Sequence, residues 1–199
     1  MSAPASSSVR VVPAAFALWG VTALAVAVSG ALASLPPPAV PLLIWSPVLL
    51  AVWAWRRVPA VRAFADGVDL RVAVLYHTVR VLFGALFLWE MRAGRLPAAF
   101  AMIAGPGDIA AGLLALPAAW LVTRSGETSR RLALAWNVFA FADILAVFVS
   151  AQRMLFLERD LRFFALMRTL PYATLPVLVV PLILLTHLLI LQRLRSGRR

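Results

Sequence analysis

Long apolar runs with few or no charged residues alternate with short arginine-bearing segments along the whole chain. The runs fall at residues 11–34, 38–55, 72–92, 97–123, 132–152 and 169–192. A membrane-spanning helix needs about 20 predominantly apolar residues, and six such helices occupy nearly all of the sequence. The pattern therefore predicts an all-α, polytopic membrane protein with six transmembrane helices, short loops and a single integral membrane domain over residues 1–199.

The composition agrees with a protein that is covered largely by lipid. Hydrophobic residues make up 63% of the chain, whereas a soluble domain holds about 45–50%. Cysteine is absent, so disulfides and thiol chemistry are excluded. The net charge of +11 comes from arginines that flank the apolar runs, as membrane anchors do. We therefore expect the lipid bilayer as a partner, and no nucleic acid.

The distribution of arginines predicts the orientation. With the N-terminus inside, twelve arginines fall in inner segments, six in outer segments and Arg80 within a span. This bias favours a bacterial cytoplasmic (inner) membrane protein with both termini in the cytoplasm. Residues 1–33 also resemble a cleavable signal peptide, but their long uncharged run favours a retained helix. Residues 152–168 mix arginines and acids with Leu and Phe, which predicts a short amphipathic helix on the outer face.

The fourth run contains the sequence Gly105-Pro106-Gly107-Asp108. Gly-Pro-Gly is typical of a helix break. We therefore expect the fourth helix to be broken at Gly105-Pro106-Gly107, with Asp108 as the N-cap of a second segment. Broken helices at membrane depth line binding sites in transporters, while a kinked helix or a re-entrant loop is the structural alternative.

Ionisable side chains lie inside the predicted spans, where each costs about 2.5–3.5 kcal/mol at the helix centre. Estimated depths predict that Arg80 pairs with Asp143, Asp108 or both. Such a pair either serves a ligand or only fixes the helix register. His77 and Glu90 lie nearer the helix ends.

Helical spacing puts several of these residues on common faces. His77 and Arg80 share one face, which Tyr76 borders. Asn137 is expected to form a hydrogen bond between helices. The candidate ligand-binding set is Arg80, Asp108, Asp143, Glu90, His77, Tyr76 and Asn137.

No motif in the chain names a reaction or a metal site, so no catalytic residue is assigned. The leading hypothesis is the binding or transport of a small polar or ionic species at the buried Arg/Asp cluster. Six spans are few for a complete transporter, so we expect either a homo-oligomer or a partner membrane subunit. The alternative is a non-catalytic scaffold or accessory subunit.

A second hypothesis is a haem b protein, although the leading hypothesis requires no cofactor. The chain has two histidines, His77 and His187, each about six residues from the inner end of its predicted span. Helices arranged in this way can bring two imidazoles to one depth, as bis-histidine haem ligation requires.

A third and more remote hypothesis is an intramembrane aspartyl protease. Gly105-Pro106-Gly107-Asp108 resembles the Gly-x-Gly-Asp motif of the presenilin-like and prepilin peptidases. The resemblance covers four residues and implies that Asp108 shares a proton with a second aspartate. In those families the partner aspartate precedes the motif, whereas Asp143 follows it.

Overall fold

The computed structural model describes residues 5–196, which form α-helices and short helical turns with no strand among them. Residues 1–4 of the proposed signal segment, and Arg198 and Arg199 of the charge count, lie outside the described residues. The α-helices are α1 (Ala5–Val28), α2 (Ala39–Arg57), α3 (Pro59–Gly67), α4 (Leu70–Leu75), α5 (Val79–Arg92), α6 (Ala98–Leu121), α7 (Glu127–Gln152), α8 (Leu161–Leu166) and α9 (Val180–Ser196).

Six helical stretches within the described residues are long and apolar enough to cross a membrane. They are Val11–Val28, Ala39–Arg57, Leu70–Arg92, Ala98–Leu121, Glu127–Glu158 and Leu175–Ser196. The third stretch joins α4 to α5 through a 3₁₀ turn at Tyr76–Thr78. This architecture confirms the predicted all-α, polytopic fold, and the protein is a multi-pass membrane protein.

The boundaries of three spans differ from the prediction by five residues or more. The fifth stretch runs over Glu127–Glu158 rather than residues 132–152. The first helix ends at Val28 rather than near residue 34, because Gly30 adopts a left-handed conformation (φ 74°) that favours glycine. The sixth stretch begins at Leu175 rather than residue 169, and residues 169–173 form a bend and turns.

The predicted break in the fourth helix is wrong. Helix α6 runs without interruption from Ala98 to Leu121, with Pro106 and Pro117 inside it. Proline removes one backbone donor from a helix, and membrane helices tolerate that loss. Asp108 is consequently a mid-helix residue and not an N-cap.

The segment after α7 is more irregular than one amphipathic helix. Residues Arg153–Glu158 continue α7 as a π-helical turn, Arg159 is left-handed (φ 51°), and α8 follows. Asp160 caps α8 by accepting hydrogen bonds from the backbone N–H groups of Arg162 and Phe163, both at 2.9 Å. Desolvation raises the pKa of Asp160, but these bonds and the Arg162 guanidinium outweigh it and hold the pKa below its ordinary value.

The chain divides into two compact units, Met1–Val68 with Arg168–Leu185, and Asp69–Met167 with Thr186–Arg199. In the first unit a small apolar core contains Ala23, Ala27, Leu32, Ala173 and Val177. In the second unit α5, α6 and α7 pack side by side and bury most of the polar side chains described below. The prediction of one membrane domain over the whole chain stays a prediction.

Candidate functional site

Arg80 is the centre of a buried polar cluster in the second unit, and only 1% of its surface is exposed. Its Nε donates to Asp108 Oδ1 at 2.7 Å, and its Nη1 donates to the backbone carbonyl of Ala140 at 2.8 Å. Its Nη2 pairs with Asp143. All three guanidinium nitrogens therefore have acceptors on α6 or α7, and Arg80 contacts both predicted carboxylates.

Glycines bring α5 and α6 close enough for this pairing. A Cβ atom on Gly84 would lie 2.6 Å from the carbonyl oxygen of Gly105, and one on Gly112 would lie 2.6 Å from the side chain of Val81. Such distances are far below van der Waals contact, so these positions require glycine. Small residues that permit close backbone approach are the usual device for helix packing in membranes.

Gly107 has a different role, because it makes room for a functional group. The carboxylate of Asp143 occupies the space that a side chain at position 107 would fill. The Asp143 side chain keeps 13% of its surface exposed, against 5% for Asp108 and none for Arg80. Asp143 is therefore the most accessible member of the cluster.

The formal charges in the cluster do not cancel. One guanidinium faces two carboxylates, so the fully ionised cluster carries a net charge of −1. A buried site with uncompensated charge is costly in a low-dielectric environment. The cluster can therefore reach neutrality by taking up one proton or one monovalent cation.

The two histidines lie together beside this cluster. The rings of His77 and His187 are fully buried, with centroids 4.1 Å apart. His187 Nδ1 lies 2.8 Å from Asn137 Oδ1, while Asn137 Nδ2 donates to the backbone carbonyl of His187 at 3.3 Å. His77 Nε2 lies 3.1 Å from the hydroxyl of Thr186. The expected interhelical hydrogen bond of Asn137 is thus present.

Haem ligation between these rings requires more space than the structure provides. Two imidazoles on opposite sides of one iron, with metal–nitrogen bonds of about 2.0 Å, have ring centres about 6 Å apart. The observed separation is 4.1 Å, which leaves the rings in direct contact. The haem assignment stays a prediction, and it would require His77 and His187 to move apart.

The remaining candidates lie at different distances from the cluster. Tyr76 is partly buried beside His77, with ring centroids 6.3 Å apart. Glu90 is buried and pairs with Arg95, Glu90 Oε2 being 2.5 Å from Arg95 Nε. Ten residues separate Glu90 from Arg80, which is about 15 Å along a helix. The structure therefore puts Glu90 at the end of α5 and outside the cluster.

The two aspartates are not arranged like an aspartyl protease dyad. In such dyads the carboxylates share a proton directly. Here the Arg80 guanidinium bonds to both Asp108 and Asp143, which satisfies each carboxylate with a cation. This geometry favours an ion-pair cluster over a pair of aspartates that share a proton directly.

Sequence reasoning missed three contacts. They are the acceptor role of the Ala140 carbonyl, the Thr186 hydroxyl beside His77, and the space left by Gly107. The carbonyl carries no sequence signal. Thr186 adjoins His187 in sequence, and Gly107 immediately precedes Asp108, so both were adjacent to residues already singled out.

Comparison with curated proteins and with solved structures finds no match for the chain. One protein family does match, over residues 37–195, which include α2 to α8 and nearly all of α9. It is described as a domain of unknown function. The match extends over most of the chain, and the protein belongs to this family, DUF8737.

Proposed function

We propose that the protein binds and transports a small ionic species at the Arg80–Asp108–Asp143 cluster, and that this species is a proton. The supporting observation is the charge of the cluster, in which one buried guanidinium pairs with two carboxylates. A proton is the smallest ligand that neutralises the remaining negative charge without displacing a hydrogen bond. Carboxylates facing a bundle interior are the usual proton carriers of membrane proteins.

The exposure of the carboxylates gives the two aspartates separate roles. Asp143 is the more accessible and is proposed to exchange the proton. Asp108 is nearly buried and is proposed to hold Arg80 in place through its bond to Nε. Arg80 attracts both carboxylates and compensates one of their two negative charges, so that one added proton is enough to neutralise the cluster.

Proton flux into liposomes tests this proposal. The purified protein would be reconstituted in vesicles that contain a pH-sensitive dye, with a potassium diffusion potential as the driving force. We expect flux above that of protein-free vesicles, reduced at least tenfold in Asp143→Asn. The matched control is Asp66→Asn, the same change at an exposed position of α3, which should keep the full flux.

The outcomes separate transport from the alternatives. A flux that is equal in the wild type, Asp143→Asn and protein-free vesicles, under proton, sodium and potassium gradients alike, would contradict the proposal. It would favour a scaffold or accessory subunit, whose buried cluster only fixes the packing of α5, α6 and α7. If the wild type and Asp143→Asn give equal flux, above that of protein-free vesicles, the transport site does not depend on Asp143 and lies elsewhere in the chain.

A further inference from the structure

Three arginines lie together at the corner between α2 and α3 in the first unit. Helix α2 ends at Arg57, the backbone of Val58 is extended, and α3 begins at Pro59. From α3 the side chain of Arg62 turns back, and its Nη2 donates to the backbone carbonyl of Arg56 at 2.9 Å. This bond satisfies one of the free carbonyls at the end of α2. It also brings the guanidinium of Arg62 to the helix end from which the side chains of Arg56 and Arg57 project.

The positive charge of this α2–α3 corner is not neutralised within the described part of the chain. Arg56, Arg57 and Arg62 are exposed, and none of them forms an ion pair with a described carboxylate. Asp66 follows Arg62 by four residues on α3, the usual spacing of a helical ion pair, yet no ion pair joins these two side chains. A surface with three such cationic side chains favours an anionic ligand.

An apolar strip on α2 leads directly to the arginines. Leu49, Leu50 and Trp53 are 63%, 64% and 56% exposed. Helical spacing puts Leu49 below Arg56 and Leu50 below Arg57, each about 10 Å along the axis, with Trp53 between the two pairs. Because α2 is long and apolar enough to cross a membrane, lipid chains cover this strip, and Trp53 and the arginines lie where headgroups begin.

Two contacts hold the corner in a fixed shape. The bond from Arg62 to the Arg56 carbonyl ties α3 to the end of α2. On the other side of α3, Phe64 stacks on Phe16 of α1, with ring centroids 5.5 Å apart. Arginines that only anchor a span need no such arrangement, whereas a preorganised group of donors lowers the cost of binding one ligand.

We propose that the α2–α3 corner is a binding site for an anionic phospholipid. The phosphate oxygens of the lipid accept hydrogen bonds from Arg56, Arg57 and Arg62, and an acyl chain lies along Leu49 and Leu50. Guanidinium suits this role because its planar fork donates two parallel N–H groups to one phosphate. An anionic headgroup is favoured over a zwitterionic one, because the latter brings a cation of its own to a corner that already holds three.

Native mass spectrometry of the delipidated full chain tests this site. The probes are dioleoyl phosphatidylglycerol and dioleoyl phosphatidylcholine, which share their acyl chains and differ in headgroup charge. We expect the anionic lipid to bind about tenfold more tightly, since arginines at a membrane surface attract anionic headgroups. The variant Arg56→Gln, Arg57→Gln, Arg62→Gln should bind both lipids equally.

The matched control removes the same charge from three exposed arginines of the second unit that form no ion pair with a described carboxylate, and it should keep the preference: Arg92→Gln, Arg159→Gln, Arg195→Gln. Equal affinity of the wild type for the two lipids would overturn the proposal. A loss of preference in the control as large as in the corner variant would also overturn it, because net charge alone would then attract the lipid.

Two further measurements complete the test. Glycerol 3-phosphate, which has the phosphate but no acyl chain, should not displace the bound lipid at equal concentration, and displacement would assign the corner to a soluble phosphate ester instead. If the triple corner variant does not fold, Arg57→Gln leaves the bond between Arg62 and Arg56 intact and should still weaken the preference; an unchanged preference there would overturn the site. None of these results depends on proton flux, so the lipid site and the proposed function are tested separately.

Discussion

Replacing Arg80 by methionine should destabilise the protein strongly, because it strands two buried carboxylates. Arg80 makes three charge-assisted contacts, to Asp108, Asp143 and the Ala140 carbonyl. Removing one partner of a buried ion pair typically costs about 3–5 kcal/mol. In a chain of this length each kcal/mol lowers the melting temperature by about 2–4 °C, so we expect a fall on the order of 10 °C.

The assay is thermal unfolding of the detergent-purified protein followed by the fluorescence of its seven tryptophans. Arg92→Met is the matched control, since it makes the same change at the exposed end of α5. A surface change of this kind should alter stability by less than about 0.5 kcal/mol. The triple variant Arg80→Met, Asp108→Asn, Asp143→Asn removes every charge of the cluster and should recover most of the loss.

Two results would refute this reasoning. If Arg80→Met melts within about 2 °C of Arg92→Met, the two carboxylates do not need the guanidinium of Arg80 as a partner. If the triple variant melts as low as Arg80→Met, the loss comes from packing of the arginine side chain and not from stranded carboxylates. Either result would also remove the charge argument on which the proposed function rests.

Three further predictions concern separate parts of the fold. Gly107→Ala should lower the free energy of unfolding by about 1–3 kcal/mol, because the added Cβ overlaps the carboxylate of Asp143. The control Gly20→Ala adds a Cβ with no neighbour within 4 Å and should be neutral or slightly stabilising. Equal melting temperatures for the two variants would contradict the overlap. Asp160→Ala should cost about 0.5–2 kcal/mol at pH 7 through the lost helix cap. Because folding lowers the pKa of Asp160, the contribution of the cap is present above about pH 4, the unfolded value, and is lost as the pH falls through the folded pKa. The difference in melting temperature between variant and wild type should therefore shrink as the pH is lowered below about 4. A difference that is the same at every pH would contradict the assignment. Protein expressed with ample haem should show no Soret band because the imidazoles touch, and a band lost in His77→Ala and His187→Ala would establish haem binding instead.

The number and approximate positions of the membrane-spanning helices could be predicted from the sequence, whereas the ends of some helices and the continuous course of α6 could not. Apolar runs of about 20 residues identify membrane spans because lipid imposes one length and one polarity on every span. The continuous course of α6 through Gly105-Pro106-Gly107 could not be predicted in the same way. Local propensity favours a break there, while the packing of Gly84 against Gly105 favours a helix, and only the tertiary contact decides.

The polar cluster could be predicted in part for a similar physical reason. Charges are rare inside membrane spans, so Arg80, Asp108 and Asp143 stood out, and the approximate depth of each follows from the helical rise. Rotation of each helix about its axis does not follow from depth. Direct contact between His77 and His187 depends on that rotation. The placement of Glu90 outside the cluster follows instead from its distance from Arg80 along the helix.

The distribution of one ion cluster over three helices has a consequence for how the chain enters the bilayer. During synthesis Arg80 emerges first, its partner Asp108 follows 28 residues later, and Asp143 follows 63 residues after Arg80. Each of α5, α6 and α7, inserted alone, would expose a charge to lipid at about 2.5–3.5 kcal/mol. Arrival of α6 and then α7 removes this cost by pairing the charges, so we expect insertion of the three helices into the membrane to be coupled.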